Sequence, residues 1–143
     1  MANIKITTGL KTYDIEDEKG NIRGQISFNP SDMNFFTRAQ HTQKAIEEAI
    51  AQLSEIKTEN SEEEIYSIIE KIDLEIKDKL NDLFDDPNTS KVIFGNQNCL
   101  NTLNGVTFVE RFLMAFAPII KADFQAEQKK SNKRIEKYTK QVK

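Results

Sequence analysis

The feature that most constrains the fold is an apolar stretch from Val106 to Ile120. Phe108, Phe112 and Phe116 recur every four residues in it, which places them on one face of a helix. Other apolar residues extend this face around most of the circumference, as is typical of a helix in a protein interior. We therefore expect residues 107–120 to form a core helix that the other elements surround.

Local signals define the ends of this helix. Thr107 and Glu110 have the spacing of a capping box, which predicts a helix start just after Gly105. Pro118 lacks the N–H that would bond to the carbonyl of Met114, so we expect a kink there. Beyond it, residues 121–143 are polar and basic, and they are predicted to form a helical extension that leaves the body.

The N-terminal part, residues 3–28, has the two-residue periodicity of β-strands. The alternating apolar residues are Ile4 and Ile6, then Tyr13 and Ile15, then Ile22, Ile26 and Phe28. Gly20 can adopt the positive φ that a tight hairpin loop needs. This pattern predicts an antiparallel hairpin or a three-stranded meander.

Two amphipathic helices are predicted at residues 31–57 and 61–85, and the short connection between them favours an antiparallel helical hairpin. Ser31 is the expected cap of the first helix, and Ser61 with Glu64 forms a capping box at the second. The predicted fold class is α+β and mostly α. Residues 1–120 would form one globular domain.

The sequence contains little that could support catalysis. It has one histidine, one cysteine, no phosphate-binding loop and no nucleophile motif. Asp86, Asn88 and Ser90 have the spacing of a calcium loop, but Lys91 and Gln97 stand where that loop requires glycine and glutamate. We therefore expect a protein without enzymatic activity, metal or cofactor.

No run reaches the roughly 18 apolar residues of a membrane span, and the opening residues lack an apolar signal segment. We expect a cytoplasmic protein. Residues 121–143 carry eight basic and three acidic side chains, whereas residues 1–120 carry twelve basic and twenty acidic ones. The basic tail is defined by Lys129, Lys130, Lys133, Arg134 and Lys137. Its charge could attract nucleic acid, but the acidic body would repel it, so this function is disfavoured.

Several short motifs carry a resemblance to a known group. They are Phe28-Asn29-Pro30-Ser31-Asp32, Val92-Ile93-Phe94-Gly95, the segment from Phe112 to Pro118, and Arg134-Ile135-Glu136-Lys137-Tyr138. In this layout the chain resembles small tail assembly chaperone-like proteins from phages and prophages of Gram-positive bacteria. The resemblance implies a protein that binds the tape measure protein in the host cytoplasm and is absent from the mature virion.

A chaperone of this kind needs an adaptable apolar surface for its partner. We predict that this surface comprises Phe108, Phe112, Met114, Phe116 and Ile120, with Phe35, Phe36 and Phe94 at its edge. Two other functions stay open. One is a structural tail or head–tail adaptor that could form homo-oligomers, and the other is a regulatory module that binds nucleic acid through the basic tail.

Overall fold

A computed structural model describes residues 2–142, with every side chain except those of 138 and 140–142. The elements in chain order are β1 (Lys11–Glu16), β2 (Ile22–Phe28), α1 (Met33–Ala51), a 3-10 turn (Gln52–Glu55), α2 (Glu62–Phe84), α3 (Thr89–Phe94), β3 (Thr102–Leu103), β4 (Val106–Thr107) and α4 (Phe108–Val142). The predicted class, α+β and mostly α, is confirmed.

Strands β1 and β2 form an antiparallel hairpin in which Lys11 pairs with Phe28. Gly20 takes a φ of +82° in the connecting turn, as its position predicts. Of the two predicted arrangements the antiparallel hairpin is confirmed and the three-stranded meander is wrong, because residues 2–10 form no strand. The Asn29 side chain donates a hydrogen bond to the Thr8 carbonyl, and Gly9 takes a φ of +88°. These two features hold residues 8 and 9 against the loop that follows β2.

The helical hairpin forms as predicted, with corrected ends. Helix α1 begins at Met33, and its cap is Asp32 rather than Ser31. The Asp32 side chain accepts a hydrogen bond from the Asn34 N–H at 2.9 Å, whereas the Ser31 hydroxyl donates its hydrogen bond to Asn29 Oδ1. At the second helix the predicted capping box is confirmed, because Ser61 accepts from the Glu64 N–H and also bonds its carboxylate.

One apolar cluster lies between the helical hairpin, α3 and the start of α4. Its buried members are Ile46, Ala49, Ile72, Ile76, Leu80, Ile93, Phe94, Cys99 and Val109. Residues 92–94 belong to α3, and the Phe94 side chain is fully buried. This cluster fixes the first turns of α4 against the body.

A second, aromatic cluster joins the β-hairpin to the helices. The Phe28 ring is its centre and packs on Tyr13, Phe35, Phe84 and Phe116 at centroid distances of 4.8 to 6.1 Å. Because Tyr13 and Phe28 lie on paired strands, the ring stack holds the whole hairpin. A two-stranded hairpin is marginal alone, so this packing accounts for its stability.

Helix α4 departs from the prediction of a helix buried all round. Val109, Phe116 and Ile120 are buried on one side, but Met114 and Ala117 are exposed on the adjacent side. No segment of the described residues covers this second side. The capping box of Thr107 and Glu110 is confirmed, and α4 continues through Pro118 as one helix. The kink at Pro118 stays a prediction.

Candidate partner-binding groove

The exposed side of α4 faces α1 across an open apolar groove, which we call the α1–α4 groove. The two helices run antiparallel there, since Phe36 of α1 meets Phe124 of α4 at a ring distance of 4.4 Å, whereas Ile50 lies near Glu110. The larger part of the groove is a hollow of about 520 Å³, and a smaller hollow of about 270 Å³ adjoins it. Gln43, Leu113 and Met114 line both hollows, so the groove is continuous.

The larger hollow has an apolar floor and a polar rim. Buried Leu83, Phe116 and Ile120 form the floor, while Phe36 and Phe124 form one end. The rim side chains are Gln40, Thr42, Gln43, Lys121 and Gln125. An apolar floor bordered by four uncharged hydrogen-bonding side chains and one lysine suits an amphipathic partner segment.

The smaller hollow has a different charge. Glu47 and Glu110 stand at its rim, whereas Lys121 is the charged residue that lines the larger hollow. From Glu110 to Gln125 the rise of α4 is about 22 Å, at about 1.5 Å per residue. The groove therefore accommodates about four turns of a helix, and its charges favour a basic group at one end and an acidic group at the other.

Met114 occupies the middle of the groove. Its side chain is 68% exposed and lines both hollows. An exposed, unbranched thioether adapts to different apolar shapes and is common at surfaces that bind varied partners. Met114 is a large apolar side chain of the groove that is mostly exposed and belongs to neither core cluster.

The eight predicted partner-binding residues divide into four pairs. Phe36 and Met114 line the open groove, and Phe116 and Ile120 form its buried floor. Phe35 and Phe94 are buried in the core, so their placement at the edge of a binding surface is wrong. Phe108 and Phe112 are half-buried against the core clusters and do not line the groove. Their part in partner binding stays a prediction.

The sequence prediction missed Leu113, Ala117 and Phe124, which all line the groove. These residues are four and seven positions apart, which is a helical spacing. Phe112 and Phe116, one position before Leu113 and Ala117, have the same spacing. Periodicity alone could not decide which of two adjacent apolar faces is covered by the body.

Contacts with the β-hairpin hold α4 beyond the boundary predicted at residue 120. The Tyr13 hydroxyl donates a hydrogen bond to the Asp123 carboxylate, and Lys11 Nζ lies 3.8 Å from the same carboxylate. Burial, followed by the hydrogen bond and the negative charge of Asp123, raises the pKa of Tyr13 to about 12. The body of the protein therefore includes α4 at least to Phe124.

The basic tail is helical and exposed. Lys129, Lys130, Lys133, Arg134 and Lys137 all lie at the surface of α4 beyond its contacts with the body. Lys130 lies 3.9 Å from Glu127 on the same helix. A pair this exposed contributes little to stability, so these charges stay accessible to solvent or to a partner.

The cysteine has a structural rather than a reactive environment. Cys99 is fully buried, and its backbone N–H donates to the Asp73 carboxylate at 2.8 Å. Burial, together with the neighbouring Asp73, raises the pKa of the thiol well above its usual range. His41 is exposed on α1. Among the residues that the structure describes, no group of histidine, cysteine and acidic side chains is placed to hold a metal ion.

Comparison with known proteins leaves the groove as the main functional evidence. No protein-family model, curated protein or solved structure matches this chain. Within residues 2–142, no helix has the length and apolar character needed to cross a membrane.

Proposed function

We propose that this protein is a non-enzymatic tail assembly chaperone that binds an amphipathic helical segment of a phage tape measure protein in the α1–α4 groove. The observation that carries the proposal is a continuous apolar groove, centred on exposed Met114 and bordered by polar side chains. A tape measure protein is a long helical chain that exposes apolar surface before the tail tube forms. The groove has the length and chemistry to cover part of that surface.

The charge distribution supports this proposal. The body carries an excess of acidic residues, and its outer helix faces are charged. Such an exterior keeps a chaperone and its apolar client in solution. In this proposal the complex forms in the bacterial host cytoplasm, and the chaperone leaves before the virion is complete.

Co-expression of this chain with the tape measure protein of the same phage or prophage tests the proposal. We expect the two proteins to co-purify, and we expect Met114→Glu to abolish co-purification because a charge would enter the centre of the groove. Leu74→Glu is the matched control, since Leu74 is 53% exposed on α2 and does not line the groove. If Met114→Glu retained the tape measure protein as well as Leu74→Glu, the groove would not be the binding site.

Two alternatives have specific support. The unpaired N-terminal segment and strand edge would suit a structural tail or head–tail adaptor, and recovery of the protein from purified virions would favour that function over the chaperone. The exposed basic tail would suit a nucleic-acid-binding regulator. In that case a salt-sensitive mobility shift would disappear when Lys129, Lys130, Lys133, Arg134 and Lys137 are replaced with glutamine.

A further inference from the structure

The N-terminal segment, residues 2–10, has the sequence of a strand but no strand partner. Ile4, Ile6 and Leu10 alternate with polar residues, and their side chains are 92%, 76% and 62% exposed. Three large apolar side chains in so short a segment are costly to leave in water. They indicate a segment that is covered in another state of assembly.

The chain also contains a strand edge without a partner. The N-terminal sheet consists of β1 and β2 alone, so within the described residues no strand pairs with the outer edge of β1. Along this strand Tyr13 and Ile15 are half-buried over the body, whereas Thr12, Asp14 and Glu16 are exposed on the opposite face. An open edge of this kind is a template for one more strand.

The segment and the edge match in their alternation and in their charge. A strand that placed Ile4 and Ile6 on the face of Tyr13 and Ile15 would place Lys5 on the face of Asp14 and Glu16. Lys5 is the one charged residue in the segment from 2 to 10, and the edge carries the opposite charge. Cross-strand pairs of opposite charge stabilise a sheet in this register.

The base of the segment is held where it cannot easily reach its own β1. The Thr8 carbonyl accepts a hydrogen bond from Asn29, which follows β2, and the Gly9 backbone packs so closely on this loop that a Cβ there would lie 3.0 Å from Asn29 Oδ1. The segment therefore leaves the sheet on the side of β2. The outer edge of β1 is on the far side of the hairpin.

We propose that residues 2–7 of one copy add a third strand to the outer edge of β1 in a second copy. Each copy supplies one segment and one edge, so a reciprocal exchange satisfies both at once and closes a two-fold symmetric dimer. The exchange covers Ile4 and Ile6 and removes the exposed strand edge. This inference does not depend on what the α1–α4 groove binds.

Sedimentation equilibrium of the full-length chain tests the exchange. We expect a dimer for the wild type, and we expect Ile4→Lys with Ile6→Lys to weaken dimerisation at least about tenfold, since two apolar side chains lose their covered site. Both residues are almost fully exposed in the single chain, so the variant should keep its helical circular dichroism spectrum and melting temperature. Leu74→Lys also places a lysine at an exposed apolar position, on α2, and should leave the dimer intact.

A charge exchange distinguishes this register from non-specific association. Lys5→Glu alone should weaken the dimer, and combining it with Asp14→Lys and Glu16→Lys should restore it. A monomeric wild type would overturn the proposal, as would a dimer that survives Ile4→Lys with Ile6→Lys. A series of ever larger assemblies would contradict the closed two-fold exchange.

Discussion

At the scale of single residues, the Asp73 carboxylate holds the loop that precedes α4 against α2. It accepts the Cys99 N–H at 2.8 Å and pairs with Lys77 at 3.0 Å, while Lys77 Nζ also donates to the Gln97 carbonyl at 2.9 Å. Charged side chains on an amphipathic helix, such as Asp73 and Lys77, normally mark its solvated face, but Asp73 is buried. Their partners are loop backbone groups twenty or more positions away, and helical periodicity carries no information about such groups.

Replacing Asp73 with alanine should lower the free energy of unfolding by about 3 kcal/mol, because the buried Cys99 N–H loses its acceptor and Lys77 loses its counter-charge. Urea unfolding followed by circular dichroism measures this difference. The control is Asp78→Ala, which removes an exposed carboxylate from the same helix and should cost under about 0.5 kcal/mol. Equal effects of the two substitutions would show that the loop is held by other contacts.

Tyr13 predicts a specific dependence of stability on pH. Its pKa is about 12 in the folded chain and 10.0 without the fold, so the neutral phenol stabilises the folded state. This contribution is complete below pH 10 and declines as the pH rises towards 12. We expect the difference in unfolding free energy between the wild type and Tyr13→Phe to shrink over that interval. A difference that stayed constant from pH 8 to pH 12 would contradict the Tyr13–Asp123 contact.

At the scale of elements, α3 packs closely against the β-hairpin because the residue of β2 at the contact is a glycine. Gly24 of β2 faces Val92, and a Cβ on Gly24 would lie 2.9 Å from both Val92 methyl carbons. Arg23 reinforces the contact by donating from Nε to the Val92 carbonyl at 3.2 Å. The register of the hairpin also shifts directly beside Gly24, between Ile15 and Glu16.

Gly24→Ala should therefore destabilise the chain by about 1–3 kcal/mol, since neither methyl of Val92 can withdraw without a shift of α3. Val92→Ala in the same chain should recover part of this loss, because it removes the two methyl groups. A double-mutant cycle on unfolding free energies gives the coupling. Additive effects would show that α3 does not rest on Gly24.

The elements that sequence predicts well are those fixed by local chemistry. The caps at Ser61 and at Thr107 form as their spacing predicts, because each hydroxyl accepts the N–H three residues on, from Glu64 and from Glu110. The three-stranded alternative is wrong because a strand also needs a second strand to pair with. Residues 3–7 have the right alternation, but a contact of Thr8 with Asn29 decides where they go.

At the scale of the whole molecule, the groove too depends on contacts between distant segments rather than on local chemistry. Periodicity identifies the apolar helix and two residues that line the open groove, Phe36 and Met114. It cannot separate these from Phe35 and Phe94, which are equally apolar but lie in the core. The difference arises from helix packing. Helices α1 and α2 cover one face of α4 and leave the adjacent face open.

The most direct test of the central claim is a calorimetric titration of the purified chain with helical fragments of the tape measure protein about 15 residues long, the length that the groove spans. We predict saturable binding that Met114→Glu weakens at least about tenfold and that Leu74→Glu leaves unchanged. Binding that both variants retain equally, or no binding of any fragment by the wild type, would contradict the α1–α4 groove as the site of a chaperone.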